Sequence, residues 1–374
     1  ELKTAAMIVN YAYLHQQFAD VEEYFDDLRD LVASGEFTLG PYVERFERKF
    51  GNYIGIKHVI GVNTGTDALI LCLKALNIGP GDEVITVPNT FYATVGAIVA
   101  VGARPVFVDV DERMQMDPEL LEAAITAKSK AIIPVYWAGC CPEIELVVAA
   151  GEKHGIPVVE DACPAVGARV DGRSAGTWGR IGAFSMHPLK PLNVWGDGGM
   201  VVTNDDTLAD WLRMYRNHGM VDRDHNEIWG INARLQPIQA VIASRLLDDM
   251  EANIDARLRT AAQIDDGLAG LAQVRIPARL PAHRDSYQLY QAMVDKRDEL
   301  LAYLITKQVE AKVHYPLPLH LQKAARDFGY SVGSFPICER QAGEIITLPA
   351  HQHITEDQVT YMIACIRDFY DQPQ

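Results

Sequence analysis

The sequence predicts an α/β protein, with a large domain built on a mostly parallel sheet and a smaller α+β domain after it. Between about residues 58 and 205, short apolar runs alternate with helix-like stretches, which is the pattern of βαβ units. These runs are continuous and do not alternate with polar residues, as expected for strands covered by helices on both faces. After about residue 236 a long helical stretch begins, which indicates a second domain.

Six strands are predicted in the large domain, because each is a short apolar run bounded by polar or turn residues. They are HVIGV (58–62), EVITVP (83–88), PVFVDVD (105–111), AIIPVY (131–136), IPVVED (156–161) and GAFSM (182–186). The stretches TDALILCLKALNI, TFYATVGAIVAVG and PELLEAAIT predict helices between them. Pro118 opens the last of these helices, and proline is well tolerated in a first helical turn.

The rest of the chain is predicted to be largely helical. Helices are expected near VEEYFDDLRDLVASG (21–35), over QPIQAVIASRLLDDMEANIDARLRTAAQIDDGL, near RDELLAYLITKQ and over EDQVTYMIACIRDFYD. The helix at 21–35 is amphipathic, so we expect it to pack on the smaller domain or on a partner. The chain is thus divided into an N-terminal segment (1–35) on the small domain, a large domain (36–240) and a small C-terminal domain (241–374).

The composition is that of an ordinary globular enzyme, with 48% hydrophobic and 22% charged residues in a chain of 374. The net charge of −16 argues against nucleic-acid binding, which needs a basic surface. The six cysteines are scattered and form no CxxC pair, so neither disulfides nor a metal site is expected. No apolar run reaches the ~18 residues of a membrane helix and no signal peptide is recognised, which predicts a cytoplasmic protein without membrane contact.

The densest group of polar and glycine residues is FSMHPLKPLNVWGDGGMVVTN (184–204). Lys190 lies in a loop after a buried strand, five residues beyond Ser185 and before a glycine run. A lysine that forms a Schiff base needs such a position, where its amine leaves solvent and its pKa falls. Ser185 is placed to donate to a phosphate. The alternative is a solvated surface lysine, which is the common state of this residue type.

The second group is IPVVEDACPAVGA (156–168), in which an apolar strand ends on Asp161. Open α/β folds bind ligands at the carboxyl ends of their strands. A carboxylate there is suited to hold a pyridinium nitrogen protonated, so that a pyridoxal ring works as an electron sink. The alternative is an aspartate that caps a helix N-terminus.

The third group is NTGTDALIL (63–71), where a turn containing Gly65 opens a helix. Free backbone N–H groups and the helix dipole make such an N-terminus an anion site, with Thr66 and Asp67 at the helix start. Any threonine-rich cap looks similar, but the three groups together supply what a pyridoxal 5'-phosphate site needs. The dinucleotide, P-loop, HExxH and GxSxG motifs are not found in the sequence.

The chain resembles the sugar aminotransferases of the DegT/DnrJ/EryC1/StrS family, which are pyridoxal-phosphate enzymes of fold type I with a seven-stranded-type sheet. The resemblance runs from TLGPYVERFERKFGNYIG through HYPLPLHLQ to LPAHQHITEDQV and so spans nearly the whole chain. It implies pyridoxal 5'-phosphate as cofactor, L-glutamate as amino donor and a keto-sugar as acceptor. It also implies a homodimer with shared active sites, in which GINARLQPIQA of one protomer reaches the other's site.

The resemblance also implies roles for the residues that match the family's motifs. Lys190 would be the catalytic residue, which forms the Schiff base with the cofactor and later carries the proton. Asp161 would bind the pyridine nitrogen, and Phe91 would stack on the ring face. The residues implied for the phosphate or its turn are Gly65, Thr66, Asp67 and Ser185, together with Asn232 of the partner protomer.

Four further residues are candidates for substrate contact, each with a structural alternative: His187, Arg234, His314 and Tyr315. A structural hydrogen bond suits His187 equally well, and an ion pair is the alternative for Arg234. His314 and Tyr315 lie in HYPLPLH, which resembles a loop lining the family's acceptor pocket but also suits a rigid turn bounded by prolines.

The sequence departs from the family's pattern at two places near the cofactor. Pro164 stands where a glutamine commonly contacts the cofactor's ring hydroxyl, and residues 136–139 read YWAG where HLYG is usual. The ring-hydroxyl contact therefore does not carry over to this chain. An unusual acceptor is one explanation of both changes.

The predicted reaction is transamination from L-glutamate to a keto-sugar. The acceptor stays open between a nucleotide-linked keto-sugar, a keto-sugar acid such as an octulosonate, and a keto-inositol. One alternative is a sugar dehydratase of the same family, but those members carry histidine where this chain has Lys190. A second alternative is a sensor that binds the cofactor without turnover, but the sequence contains no DNA-binding segment that would support such a role. A dehydrogenase is a third, disfavoured by the missing dinucleotide motif.

Overall fold

The computed structural model describes residues 7–371. The helices are α1 (Leu14–Gln17), α2 (Glu22–Ser34), α3 (Pro41–Ile54), α4 (Gly65–Ala75), α5 (Tyr92–Ala100), α6 (Leu121–Ala124), α7 (Ile144–His154), α8 (Asp206–Tyr215), α9 (Pro237–Leu246), α10 (Met250–Leu268), α11 (Arg297–Thr306), α12 (Pro336–Glu344) and α13 (Glu356–Asp371). The strands are β1 (His58–Val62), β2 (Glu83–Thr86), β3 (Arg104–Phe107), β4 (Ser129–Ile132), β5 (Val159–Asp161), β6 (Arg169–Val170), β7 (Arg173–Ser174), β8 (Ile181–Ser185), β9 (Gly199–Thr203), β10 (Val274–Arg275), β11 (His283–Arg284), β12 (Tyr290–Val294) and β13 (Ile345–Leu348). Residues 1–6 of the predicted N-terminal segment and 372–374 of the predicted small domain lie outside the described range.

Seven of these strands form one surface in the order β1-β9-β8-β5-β4-β2-β3. Ladders join the first four and the last three strands. Parallel bridges from Ile132 to Val158 and from Val135 to Asp161 connect the two groups. The ladders β5–β8, β2–β3 and β2–β4 are also parallel, so the predicted α/β class with a mostly parallel sheet is confirmed.

Strand β9 is the exception, because it runs antiparallel to both β1 and β8. The connection 186–198 between β8 and β9 contains no helix. A parallel return would need a long crossover, usually a helix, so the chain turns back beside the strand it has just left. The sequence-based expectation lacks β9, whereas all six predicted strands are present with ends that differ by up to four residues.

Two apolar layers cover the sheet, one on each face. Helices α4, α5 and α8 bury residues such as Leu69, Ile98 and Leu212 on one face. Helices α3, α7 and α9 bury residues such as Phe46 and Val147 on the other. The predicted helix over PELLEAAIT is shorter than expected, since only a 3₁₀ turn and the one-turn α6 form there. This double covering explains the continuous apolar strands of the sequence.

A smaller sheet, β10-β12-β13, is antiparallel and has its own apolar core. That core collects buried residues of α10, α11 and α13, such as Ile264, Leu304 and Met362. The long predicted helix after residue 236 is divided into α9 and α10 by a 3₁₀ turn at Leu247–Asp249. The boundaries drawn at residues 35 and 240 stay predictions.

The N-terminal segment contacts both parts of the molecule. Val9 is fully buried in the smaller core and bridges to Val309. Helix α2 instead lies against α9, where Arg245 pairs with Glu23 at 2.5 Å and with Asp27 at 2.7 Å. The start of the segment at Val9 thus contacts the smaller core, while α2 packs against α9. The assignment of residues 1–35 to the small domain stays a prediction.

The six cysteines are all unpaired. Burial raises the pKa of the thiols of Cys72, Cys141 and Cys338, so they are protonated at neutral pH. Among residues 7–371, no helix is both long and apolar enough to cross a membrane.

Candidate active site

Three of the predicted site segments meet at the edge where the parallel strands end. Strands β5 and β8 pair with Asp161 opposite Ala183, so Asp161 and the loop after Ser185 leave the sheet side by side. Strand β1 is antiparallel to β9, as β8 is, and therefore runs the same way as β8. The helix that follows β1, α4, begins at this same edge, which is where open α/β folds bind ligands.

Asp161 is buried, with 3% of its surface exposed. Its Oδ2 accepts a hydrogen bond from Thr94 Oγ1 at 2.7 Å, and its Oδ1 accepts one from the backbone N–H of Cys163 at 3.2 Å. Thr94 is itself bonded to Thr90 through their hydroxyls at 2.7 Å. These contacts fix the orientation of the carboxylate at the strand end.

The neighbouring carboxylate, Glu160, has a different task. Successive side chains of a strand point to opposite faces, so Glu160 faces away from the side that Asp161 occupies. It accepts hydrogen bonds from Tyr136 Oη at 2.6 Å and from the backbone N–H groups of Gly176, Trp178 and Gly179 at 2.6–2.7 Å. Burial raises the pKa of Glu160, against the effect of these four donors. Glu160 holds the 176–179 turn in place.

Lys190 lies in a turn beyond β8, where its N–H donates to the carbonyl of His187 at 2.8 Å. Its own carbonyl accepts from Asn193 Nδ2 at 2.9 Å and from Tyr13 Oη at 3.4 Å. Burial of the amine lowers the pKa of Lys190 despite the nearby negative charge of Asp161, which acts in the opposite direction. A lysine amine with a lowered pKa is a stronger nucleophile near neutral pH.

A second layer of contacts supports the Lys190 turn. The Arg257 side chain is 2% exposed and donates to Tyr13 Oη at 3.0 Å and to the carbonyl of Tyr287 at 2.8 Å. Its guanidinium also lies 5.3 Å from the centre of the Tyr13 ring. Arg257 belongs to α10 and Tyr13 to the N-terminal segment, so the long helix and the N-terminal segment together support the Lys190 turn.

The turn at the start of α4 has the geometry of an anion site. Thr64 caps the helix, and its Oγ1 accepts from the backbone N–H of Asp67 at 2.9 Å. A methyl group at Gly65 would lie 2.6 Å from Ser185 Cβ, and one at Gly199 would lie 2.3 Å from the carbonyl oxygen of Thr64. Both glycines are therefore required for the helix start and the strand ends to approach so closely. Thr66 is exposed beside them.

An aromatic group lies next to this edge at the start of α5. Phe91 is 51% exposed, and its ring centre lies 5.4 Å from that of Tyr92 and 6.3 Å from that of Tyr315. The ring centre of Tyr315 also lies 5.6 Å from that of Trp137.

Two candidate histidines differ in their surroundings. Burial lowers the pKa of His314 to about 4, and its Nδ1 lies 3.0 Å from Thr347 Oγ1. His187 is exposed, and its Nδ1 accepts from the backbone N–H of Leu189 at 3.3 Å.

Asn232 and Arg234 lie on a strand-like segment beside the end of β1. Asn232 is exposed and bridges to Asn217, whose Oδ1 also accepts from Arg234 Nη1 at 3.1 Å. Within the described residues, neither forms a hydrogen bond with the Lys190 turn. The contribution of Asn232 to a partner's site stays a prediction.

A separate cluster brings one ligand atom each of Cys141, His283 and Asp285 within 4.8 Å of one another. The Arg113 guanidinium lies 3.1 Å from His283 Nδ1 and donates to the Cys141 carbonyl at 2.8 Å. Burial raises the pKa of the Cys141 thiol. The Arg113 guanidinium is thus already the cation beside these three residues, and the Cys141 thiol is protonated. The cluster therefore behaves as a hydrogen-bond network and not as a metal site.

The residues at the sheet edge fit pyridoxal phosphate. The amine of Lys190 has the lowered pKa that bonding to an aldehyde needs, and the buried Asp161 is an acceptor for a ring N–H. The start of α4 offers backbone N–H groups to a phosphate, and the absence of a side chain at Gly65 lets Ser185 lie against this helix start. Thr94 was not singled out from the sequence, although it lies four residues after Thr90 in the predicted helix TFYATVGAIVAVG, a spacing that places two side chains on one helical face.

Comparison with known proteins agrees with this arrangement. Residues 19–367 match the family model of the DegT/DnrJ/EryC1/StrS aminotransferase family. The dTDP-3-amino-3,4,6-trideoxy-alpha-D-glucose transaminase of Micromonospora megalomicea is 38% identical over 364 residues, 96% of this chain and 97% of that protein. The pleiotropic regulatory protein of Geobacillus stearothermophilus is 37% identical, over 94% of this chain and 97% of that protein. The crystal structure of S. venezuelae DesV in complex with a ketimine intermediate superposes with a TM-score of 0.94, at 35% identity over 99% of both chains.

Fold and site together define a pyridoxal-phosphate-dependent aminotransferase of fold type I. Within that class, the chain belongs to the DegT/DnrJ/EryC1/StrS aminotransferase family, since the family model and the relatives cover it almost from end to end. The resemblance seen in the sequence is thereby confirmed.

Proposed function

We propose that this protein moves the amino group of L-glutamate to the keto group of a nucleotide-linked sugar. The observation that carries the proposal is the convergence of Lys190 and Asp161 at one sheet edge, in a chain similar throughout to transaminases of nucleotide sugars. Of the three acceptors open from the sequence, relatives that act on nucleotide-linked sugars favour this one over an octulosonate or a keto-inositol. A cytoplasmic location stays a prediction from sequence.

When bound, pyridoxal phosphate supplies an aldehyde and an electron sink. Lys190 Nζ would bond to the aldehyde carbon in the resting enzyme, and as a free amine it would act as the base that takes the proton from the donor's Cα. Asp161 would keep the ring nitrogen protonated, and Thr94 orients the Asp161 carboxylate. Asp161, the first turn of α4 and Ser185 would together anchor the ring nitrogen and the phosphate, and so fix the cofactor relative to Lys190.

The active unit in this proposal is a homodimer with shared sites. Asn232 and Arg234 follow directly on an exposed stretch that includes Trp229, with 91% of its surface exposed, and Ile231, with 41%. Large apolar side chains exposed so close together are typical of a protein interface. Asn232 would then reach the phosphate of the partner's cofactor, and Arg234, on the same strand-like segment, would contact an anionic group of the substrate.

Of the alternatives that the sequence left open, the sugar dehydratase and the sensor without turnover would also bind pyridoxal phosphate. Lys190 disfavours the dehydratase branch, which carries histidine at this position. The relative from Geobacillus is named as a regulatory protein, but the chain is similar over nearly its whole length to proteins named as transaminases, which favours turnover. Aminotransfer is therefore the function that the site supports best.

The test is an assay with L-glutamate labelled with ¹⁵N and a panel of keto-sugars linked to UDP or dTDP. The proposal predicts stoichiometric 2-oxoglutarate and a ¹⁵N-labelled amino sugar with at least one nucleotide-linked acceptor. Transfer only to a free keto-inositol or an octulosonate would contradict the acceptor class. Loss of water from the sugar without nitrogen transfer would instead support the dehydratase.

A further inference from the structure

One buried asparagine holds the Lys190 turn from inside. The backbone N–H of Val194 donates to the carbonyl of Met186 at 3.0 Å, which closes the loop 187–193 at its base. Within this loop Asn193 is fully buried, and its Nδ2 donates to the carbonyl of Lys190 at 2.9 Å. The backbone N–H of Lys190 is also hydrogen-bonded within the turn. Both backbone polar groups of Lys190 are therefore fixed, and its side chain is the part left free to move.

Asn193 is itself held by a chain of side-chain amides. Gln17 Nε2 donates to Asn193 Oδ1 at 2.7 Å, and Gln352 Nε2 donates to Gln17 Oε1 at 3.1 Å. Gln17 belongs to α1, and Gln352 lies in the connection between β13 and α13, so the chain of amides joins three distant parts of the sequence. Every donor in this chain points toward the carbonyl of Lys190. Hydrogen bonds aligned in this way polarise and strengthen one another.

An amide at position 193 needs partners, because the side chain is enclosed. Its neighbour Leu192 is buried in the large apolar core, where an amide without hydrogen bonds would be costly. The hydrogen bonds of the Asn193 side chain go to Gln17 and to Lys190. The other donor to the Lys190 carbonyl, Tyr13 Oη, lies farther away at 3.4 Å. Asn193 therefore supplies the shorter of the two side-chain bonds that fix this carbonyl.

We propose that Asn193 is a positioning residue for Lys190, which Gln17 and Gln352 hold in place. The bond from Asn193 keeps the Lys190 backbone from turning outward, so that the amine stays in its enclosed position at the cofactor site. When this bond is lost, the turn gains freedom and the amine gains solvent. Because burial is the main cause of the lowered pKa of Lys190, that pKa then rises toward its ordinary value. This inference rests on the role of Lys190 in the proposed aminotransfer and adds the residues that place it.

The test measures how the reactivity of the Lys190 amine depends on pH in the full-length protein without cofactor. Acetic anhydride labels deprotonated amines, and mass spectrometry compares the Lys190 peptide with Nα-acetyl-lysine amide added to the same sample. In the wild type the midpoint for Lys190 is expected below that of the free lysine, and in Asn193→Ala it is expected to rise toward it. In the holoenzyme, kcat of Asn193→Ala is expected to fall by about 10- to 100-fold with little change in KM for L-glutamate.

Gln17→Met and Gln16→Met form a matched pair on α1. Gln17→Met keeps the length of the side chain but breaks the chain of amides, so it is expected to raise the midpoint less than Asn193→Ala does. Gln16→Met changes an exposed neighbour and is expected to keep the wild-type midpoint. Ile366→Val weakens the smaller core away from the turn and is also expected to keep it, which controls for a general loss of stability.

A wild-type midpoint in folded Asn193→Ala overturns the inference, and so does an equal rise in Ile366→Val. If Asn193→Ala does not fold, an unchanged midpoint in Gln17→Met overturns it. Failure of the proposed function gives a different result, because the wild type then lacks the absorbance band of bound pyridoxal phosphate or transfers no nitrogen. The midpoints in the cofactor-free protein still decide in that case whether Asn193 positions Lys190.

Discussion

Two adjacent carboxylates show how strongly a side chain's surroundings decide its role. Glu160 and Asp161 are chemically alike and both buried, but they point to opposite faces of β5. Four donors enclose Glu160, whereas Asp161 receives one hydroxyl and one backbone N–H and keeps acceptor capacity at the sheet edge. A sequence that reads Glu-Asp at a strand end therefore yields one structural and one candidate functional carboxylate.

Replacement of Asp161 tests its proposed role at the residue scale. Asp161→Asn keeps the shape but removes the charge, which lowers the pKa of a neighbouring pyridinium by about 1–3 units. Turnover near neutral pH is expected to fall roughly 10- to 1000-fold and to recover partly as the pH is lowered, because acid restores the ring proton. The measurement is kcat against pH with L-glutamate and an accepted keto-sugar.

Thr94→Val is the matched control, since it removes one hydrogen bond to the same carboxylate and keeps the charge. Turnover of Thr94→Val is expected to fall by about tenfold, with an unchanged pH profile. An Asp161→Asn enzyme with wild-type turnover at neutral pH would remove Asp161 from the mechanism.

At the scale of elements, the start of α4 depends on the absence of a side chain. Gly65 lies against β8, with space for no methyl group beside Ser185. Gly65→Ala is expected to shift the helix start, to cost about 1–3 kcal/mol of stability and to weaken pyridoxal phosphate binding. Denaturant unfolding and cofactor titration measure the two effects.

Gly96→Ala in α5 is the comparison, because a methyl group there meets nothing within 4 Å. In an exposed helical position alanine is expected to stabilise by about 0.5–1 kcal/mol and to leave cofactor affinity unchanged. Equal cofactor affinity in the wild type and Gly65→Ala would show that the α4 start does not hold the phosphate.

The main strands and the helices between them were predictable because their apolar runs and helical spacing are local. β9 was not, because its direction follows from the helix-free connection 186–198. The surface that α2 contacts was not predictable either, because an amphipathic pattern shows that a helix has a buried face but not which surface covers it. Its ion pairs to Arg245 join residues more than 200 positions apart in sequence.

At the scale of the whole molecule, the candidate site residues that could be singled out from the sequence lie within compact motifs, as Lys190 and Asp161 do. Thr94 and Arg257 could not be singled out, because each supports the candidate site through a contact between distant parts of the chain. No single segment of the sequence carries a signal for such contacts.

The proposed homodimer with shared active sites predicts subunit complementation. In the proposal, Lys190→Ala destroys the site of its own protomer, and Asn232→Asp damages the partner's site by opposing the phosphate. A refolded equal mixture of the two inactive variants is expected to regain about a quarter of wild-type activity, because half of its dimers contain one intact site. Activity is measured at the dimer mass in size-exclusion chromatography. No recovery in mixed dimers would contradict a contribution of Asn232 across the interface.

The central claim is that Lys190 holds pyridoxal phosphate and that L-glutamate donates the amino group. The most direct measurement is the absorbance spectrum of the purified protein with pyridoxal phosphate, before and after addition of L-glutamate, beside Lys190→Ala. The wild type is expected to show a yellow band that bleaches with L-glutamate, and Lys190→Ala is expected to lack the resting band and all turnover. Absence of the band in the wild type, or appreciable turnover in Lys190→Ala, would contradict the account.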